Sequence, residues 1–543
     1  MLKRVSKLAL IGIMTLGLVF GAGCGKKADR AETRPAALAT GGKINIGSAI
    51  EPETWNPFLS DVSVVQDIGR LLFGGLLLQN DKGEWQPDLA AEIPTAENGG
   101  ISPDGLTVTY RLKPGLKWQD GQNLTAADVK FTYEFVLKNR NQVAWREGYE
   151  KILSVTTPDS LTAVVRFGEP YPFRLYLFPY LLPAHRSAEL ADPRQQNFNR
   201  LPMGSGPFQL KAWRRGDALA FEANPQYHRG RPLLDSITYR IVTERQIVLS
   251  QLKIGEVDMV NQIGFDQLDT IRAVTGVNTF ITRGVVWEHL DFNIDNPLFI
   301  DLRVRRAMAM VIDRGALIEK TLKNAAFPAY SDIHPLSWAY NPNLSPGGRN
   351  LALARELMSA AGWKPGSDGV LVREGRRLAF ALTVPSNERA RQLAATELSR
   401  QLRELGVDMK VQLVDSKQFF DQILPNRRFE AVLFAWSTST EPENNDYWHS
   451  RRIPSPANRL TGKNYAGWKS MEVDSLLDSL RQSLDQTSRG EKYRRIEELL
   501  LLEVPVIPLY YRADIAAVKR NIENFRPNPF AGNMWNVWEW GLR

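Results

Sequence analysis

Residues 378–414 read LAFALTVPSNERARQLAATELSRQLRELGVDMKVQLV, and their spacing decides the fold class. Leu378, Phe380, Leu382 and Val384 alternate with their neighbours as one face of a strand does. Leu393, Ala394, Leu398, Leu402 and Leu405 then fall on one side of a helix that Gly406 stops, after which Val407, Met409, Val411 and Leu413 alternate again. Strand, helix and strand in this order make a βαβ unit, so the chain is α/β with parallel strands. A further helix from about Ser416 to Leu424 leads to the apolar run 431–436, which has the character of a central parallel strand covered on both faces. Ligands of open α/β sheets collect beyond the carboxyl ends of such strands. Trp436 stands at that end, so the polar loop after it, residues 437–446, is the leading candidate for a site. The competing reading is a plain surface loop behind a tryptophan that plugs the core.

Upstream, a second block has a different pattern. After the turn Ser102-Pro103-Asp104-Gly105, the residues Leu106, Val108, Tyr110 and Leu112 face one way while Thr107, Thr109 and Arg111 face the other. Turns at Pro114-Gly115 and Asp120-Gly121 fold the chain back. Thr125 with Asp128 has the form of a capping box, and Val129, Tyr133 and Val136 stripe the helix behind it. This block is a compact α+β unit. Nearer the start, Ile44, Ile46 and Ser48 alternate as a strand, and Pro52 and Pro57 mark a loop that carries Trp55 and Asn56.

The chain opens on Lys3, Arg4 and Lys7, an uncharged stretch 8–23, and Cys24, the single cysteine of 543 residues. That stretch is short for a membrane span, which takes about 20 apolar residues. Its small-residue exit Gly21-Ala22-Gly23 suits a signal peptidase, so residues 1–23 read as a lipoprotein signal and Cys24 as the lipid anchor. Residues 24–42 carry no apolar periodicity and read as a flexible tether. The length exceeds what one core supports, roughly 250–300 residues, so more than one domain is expected. The formal charge of +8 falls to +5 without the leader, and the basic residues are interspersed with acidic ones, which excludes a nucleic-acid footprint.

Signatures of covalent chemistry are missing. There is no G-x-x-x-x-G-K-[ST], H-E-x-x-H or G-x-S-x-G, and the five histidines lie far apart in sequence. Gly204-Ser205-Gly206 opens a strand rather than a phosphate-holding helix, and residues 366–369 read as a hairpin turn rather than a calcium loop. Aromatics are the remaining resource: 14 Trp, 15 Tyr and 23 Phe, several beside carboxylates or amides, suit a large and mostly apolar cleft with a few fixed polar groups.

These segments together resemble family 5 of the extracellular solute-binding proteins, the peptide, opine and nickel receptors of ABC importers, and in particular their oligopeptide-binding branch. The likeness runs from Lys43 to Arg543. Leu72-Phe73-Gly74-Gly75-Leu76 with Trp85-Gln86-Pro87-Asp88-Leu89-Ala90 is similar to the family's first signature, and residues 102–129 to its most recognisable one. Met203-Gly204-Ser205-Gly206-Pro207-Phe208, Asn224-Pro225-Gln226-Tyr227, Phe292-Asn293, residues 301–307 and Ile312-Asp313-Arg314 follow in the family's order. The resemblance implies a two-lobed periplasmic-binding-protein fold, type II and cluster C, with an inserted α+β domain. Lobe I would combine residues 43–78, 205–293 and 512–543. The inserted domain would be residues 79–204 and lobe II residues 294–511, with hinge crossings near Asn293 and Tyr511.

The family likeness also implies a site. In peptide-binding members, an aspartate three residues past the equivalent of Trp436 pairs with the ligand ammonium, and here Ser439 stands there. The two acids around Pro442 resemble the branch that takes longer peptides, which makes Glu441 the substitute partner; its other reading is a solvated loop charge. Trp287 and His289 would meet the ligand from lobe I, joined by Trp55 and Asn56 from the first loop. Trp287 and Trp436 read equally well as packing residues. The expected protein is a monomeric receptor without cofactor or metal. It would be tethered outside the cytoplasm through Cys24, on the outer face of the cytoplasmic membrane or in the periplasm, and would deliver oligopeptides to an ABC permease and its ATPase subunits. An oligosaccharide receptor on the same scaffold, a nickel receptor and a secreted hydrolase with a carboxylate pair across domains are the rival readings.

Overall fold

In the computed structural model Ala379–Pro385 and Asp408–Val414 pair in parallel, from Ala379 with Asp408 to Pro385 with Val414, and the helix Arg389–Arg403 joins them. Leu398 and Leu402 on that helix are fully buried in one core with Leu382, Leu433 and Ile507. Each such leucine contributes about 1.5–3 kcal/mol by leaving water. The structure describes residue 38 and residues 40–543 apart from 141, 145, 191–197, 199–201, 346, 482 and 484. The leader, Cys24 and nearly all of the tether lie outside the described residues. Ala39–Arg543 is one compact unit.

The main sheet has eleven strands and is mixed rather than parallel. Ala431–Ser437 is central, with Ala431 to Phe434 buried, but it runs parallel only to Ala379–Pro385 and antiparallel to Val277–Phe292. An apolar run reports burial on two faces and is silent about strand direction, which is why the sequence reading made the strand wholly parallel.

Two long strands, Val277–Phe292 and Val506–Lys519, carry the sheet from one half of the molecule to the other. They pair antiparallel from Val277 with Lys519 to Arg283 with Ala513, lose register, and resume at Trp287 with Tyr511. On the far side of the break, Val286 to Phe292 take Ala431–Ser437 as their second neighbour. On the near side, Met259–Val260 join Val506–Lys519 and lead through Lys43–Ser48 to Ser236–Ile241. Gly284 sits in the break, where an added Cβ would meet the Asp514 carboxylate at 2.9 Å and the Arg512 carbonyl at 3.0 Å. The change of partners therefore comes before Asn293, at a bulge that no periodicity announces.

Each half has its own core. One gathers Ile44, Ile68, Leu72, Phe221 and Trp540, and it includes Val108, Tyr110 and Val165 from the three-stranded sheet of Thr107–Arg111, Thr162–Phe167 and Ile152–Thr156. The other gathers Leu290, Phe299, Leu382, Leu433 and Ile507. The expected capping box is present on the helix Ala126–Lys138, where Asp128 Oδ2 accepts the Thr125 backbone N–H at 2.7 Å. Phe208–Arg214 begins as a strand two residues after Gly206, and residues 366–369 turn between Lys364–Pro365 and Leu371–Arg373.

Candidate functional site

Beyond Ser437 the chain leaves the sheet and returns in the short helix Asn444–Trp448. The loop between them forms one wall of a cavity of about 1230 Å³. Phe58, Trp85, Tyr149, Tyr171 and Phe173 come from the opposite wall, and Trp287, Tyr493 and Phe530 also line the space. Such a volume exceeds the roughly 300–1,000 Å³ of small-ligand sites and suits an extended guest.

Hydrogen bonds close the two walls on each other. Gln79 Nε2 donates to Thr440 Oγ1 at 2.6 Å, Tyr176 hydroxyl and Thr440 Oγ1 are 2.7 Å apart, and the Glu441 backbone N–H donates to the Tyr176 hydroxyl at 3.1 Å. Gly83 packs so tightly on Thr440 that a Cβ would lie 2.6 Å from its methyl group. Gln79 and Thr440 are themselves buried, so these bonds are sheltered from competing water.

The residues expected from sequence divide between wall and core. Trp436 and Trp287 are cross-strand partners. Trp287 is 1 % exposed yet lines the cavity, with His289 stacked beneath it at 4.1 Å. Trp436 stacks with Tyr447 at 5.0 Å and Tyr465 at 6.0 Å, and the Lys463 ammonium lies 5.8 Å from its ring. Ser439 lines the cavity, with its hydroxyl donating to the Glu441 carbonyl. Trp55, Asn56, His289, Trp436 and Glu441 are absent from the wall. Trp55 packs edge-on against Trp213 at 4.7 Å, Asn56 holds its own turn by accepting from the Phe58 N–H at 3.1 Å, and His289 is fully buried against Asp291.

Glu441 already has partners. Its carboxylate forms an ion pair with Arg489 and accepts from Trp338 Nε1 at 3.3 Å. Burial pushes its pKa up, against the pull of Arg489 and Arg174. Glu443, across Pro442, lines the cavity, and its carboxylate makes no hydrogen bond or ion pair among the described residues. Burial pushes its pKa up to about 7; Lys463 opposes the rise, while Glu147 and Asp446 add to it. Glu147 and Asp446 line the same cavity. The sequence singled out Glu441 as the ammonium partner and gave no sign of Arg489, which lies far along the chain and pairs with it here. Gln79, Glu147, Tyr176 and Thr440 gave no local signal for the same reason.

The sequence profile of bacterial extracellular solute-binding proteins, family 5 (middle region), matches residues 84–453. The chain is 28 % identical to the oligopeptide-binding protein AppA of Bacillus subtilis, over 100 % of both chains. The solved structure of B. subtilis AppA in complex with a nonapeptide has 27 % identity and a TM-score of 0.69, covering 93 % of this chain and 100 % of that one. NikZ from Campylobacter jejuni in complex with Ni(L-His) has 25 % identity and a TM-score of 0.70, covering 92 % and 99 %.

Proposed function

Because this chain belongs to family 5 of the bacterial extracellular solute-binding proteins, we propose that it captures oligopeptides in the large cavity and hands them unaltered to an ABC permease and its ATPase subunits. The observation that carries the reading is Glu443, an unpartnered carboxylate in an aromatic cavity that also holds Glu147 on the facing segment. A peptide ammonium is the cation that such a place takes, since a partly dry cleft strengthens the attraction well beyond its value in water. An ammonium between Glu443 and Glu147 would tie the two walls together, so the guest favours the closed form. Ser439 and Trp287 complete the wall beside it.

The lobes are proposed with the boundaries given above, 43–78 with 205–293 and 512–543 against 294–511, and 79–204 inserted. The register break at Gly284 is the natural flexing point of the first crossing. We further propose that Cys24 carries lipid and holds a monomeric receptor outside the cytoplasm. The rival reading, an oligosaccharide ligand, needs an open ring face. Trp436 is stacked with two tyrosines and Trp287 is almost wholly covered, which favours peptide.

The test is a titration of the purified protein with tri- to pentapeptides and their N-acetylated twins, followed by tryptophan fluorescence and calorimetry. Free-amine peptides are expected to bind roughly tenfold or more tightly than acetylated ones, the range of one charged hydrogen-bonded contact. Equal affinities would place the anchor elsewhere, and binding of hexose oligomers in preference to peptides would select the sugar reading.

A further inference from the structure

Behind Trp287 lies a second, smaller cavity of about 320 Å³, whose other lining residues all fall between 306 and 508. Trp287 and Asp332 face both cavities, so they form the partition. Most of its wall is apolar: Met310 from the helix Leu302–Val311, Leu500 and Leu501 from the helix Gln486–Glu503, and Val506 and Ile507 from the strand that follows.

Two guanidinium groups face this apolar space without a counter-ion. Arg314 donates from Nε to the Pro508 carbonyl at 2.8 Å and lies 5.3 Å above the Tyr330 ring, but it pairs with no carboxylate among the described residues. Burial moves its pKa down to about 10, so it stays charged at neutral pH. Arg306 donates from Nε to the Leu502 carbonyl at 2.7 Å and is likewise without an acidic partner. Both side chains are half-buried. Charged groups removed from water are as a rule paired, so a carboxylate entering beside Arg314 would supply the counter-charge it lacks.

The acids in the wall do not neutralise them. Asp332 is occupied: it accepts from Trp448 Nε1 at 2.7 Å and Asn444 Nδ2 at 2.9 Å. Glu497 is 1 % exposed and burial pushes its pKa up to about 9, so at pH 7 it is a neutral carboxylic acid. One of its oxygens accepts from the Ser331 hydroxyl, while Oε2 makes no hydrogen bond among the described residues. A protonated Oε2 is a donor waiting for an acceptor.

We propose that this pocket is a second ligand site, separate from the large cavity, that binds a small carboxylic acid with an apolar body. Its carboxylate is held by Arg314 and its aliphatic or aromatic tail lies among Met310, Leu501 and Ile507. The pocket's size is that of the smallest ligand sites, which sets the guest at roughly one ring or one branched chain.

The test uses the full protein and 3-phenylpropionate as probe, with its neutral amide and acetate as controls, read by calorimetry and by saturation-transfer NMR. The acid is expected to bind saturably at one site, and the amide about tenfold or more weakly, since it lacks the charge. Acetate, lacking the tail, is expected to bind as weakly as the amide. Arg314→Gln should reproduce the amide's loss for the acid, while Glu443→Gln in the large cavity should leave acid binding unchanged. The comparison of acid and amide on the unmodified protein stands even if Arg314→Gln fails to fold. Equal binding of acid and amide, no saturation by roughly 10 mM, or loss of acid binding in Glu443→Gln rather than Arg314→Gln would overturn the proposal.

Discussion

Glu443→Gln removes a charge and leaves the shape of the side chain nearly unchanged, so its effect on peptide capture measures electrostatics directly. In the empty protein the carboxyl has a pKa of about 7, raised by burial and by Glu147 and Asp446. The sign follows: the carboxylate is present above pH 7 and lost below it, whereas a peptide amine with a pKa of about 7.7–8.0 is lost above. The product of the two charged fractions peaks near pH 7.4, where each is about 70 %, and falls about 20-fold by pH 5.4, where only some 2–3 % of Glu443 is ionised. Calorimetry of one tripeptide across this range should therefore show a bell for the wild type, with an acid limb that levels off about tenfold below the peak, where protonated Glu443 binds as Gln does. Glu443→Gln should begin about tenfold weaker at pH 7.4 and lose the acid limb, and the acetylated peptide should show no bell with either protein. A wild-type profile that is flat from pH 5.4 to 7.4, or an acid limb of undiminished slope in Glu443→Gln, would refute the assignment.

Thr440→Val deletes the hydroxyl that receives Gln79 and meets Tyr176. The closed form should weaken by about 1–2 kcal/mol, seen as a 5- to 30-fold loss of peptide affinity and a larger radius of gyration in scattering. Gly204→Ala would drive a Cβ to 1.7 Å from the Leu72 carbonyl oxygen, so chemical denaturation should show a loss of about 3 kcal/mol or more, or no folded protein. Asp67 has its pKa raised to about 7, first by burial and then by Asp514, itself raised to about 6 by burial. Raised carboxyl values mean that stability is lost as pH climbs from about 4 to 7. Asp67→Asn should thus raise the melting temperature at pH 8 and change it little at pH 4.5, and an equal shift at both pH values would contradict the linkage.

Much of the framework is written in short-range pattern. The alternation at Leu378 to Val384, the stripe ending in Leu402 and the pairing of Thr125 with Asp128 each depend on residues a few positions apart, and each element is present in the structure. What lies across the chain is not written that way. The register break at Gly284 arises where two strands more than 200 residues apart fall out of step. Glu441 and Glu443 look alike in sequence, and Arg489 and Trp338, both distant in the chain, tell them apart. Trp55 and His289 have the composition of ligand contacts, but Trp213 and Asp291 claim them for the core. The latch of Gln79, Tyr176 and Thr440 likewise joins three segments whose proximity only the fold creates.

The account turns on a guest that is a peptide and that leaves unchanged. Native mass spectrometry of the full-length protein, purified without added ligand and then unfolded in the spectrometer, reads that guest directly. A ladder of intact peptide masses released only on unfolding is the predicted result. A series spaced by hexose units, or peptides recovered as cleaved fragments after incubation, would contradict it.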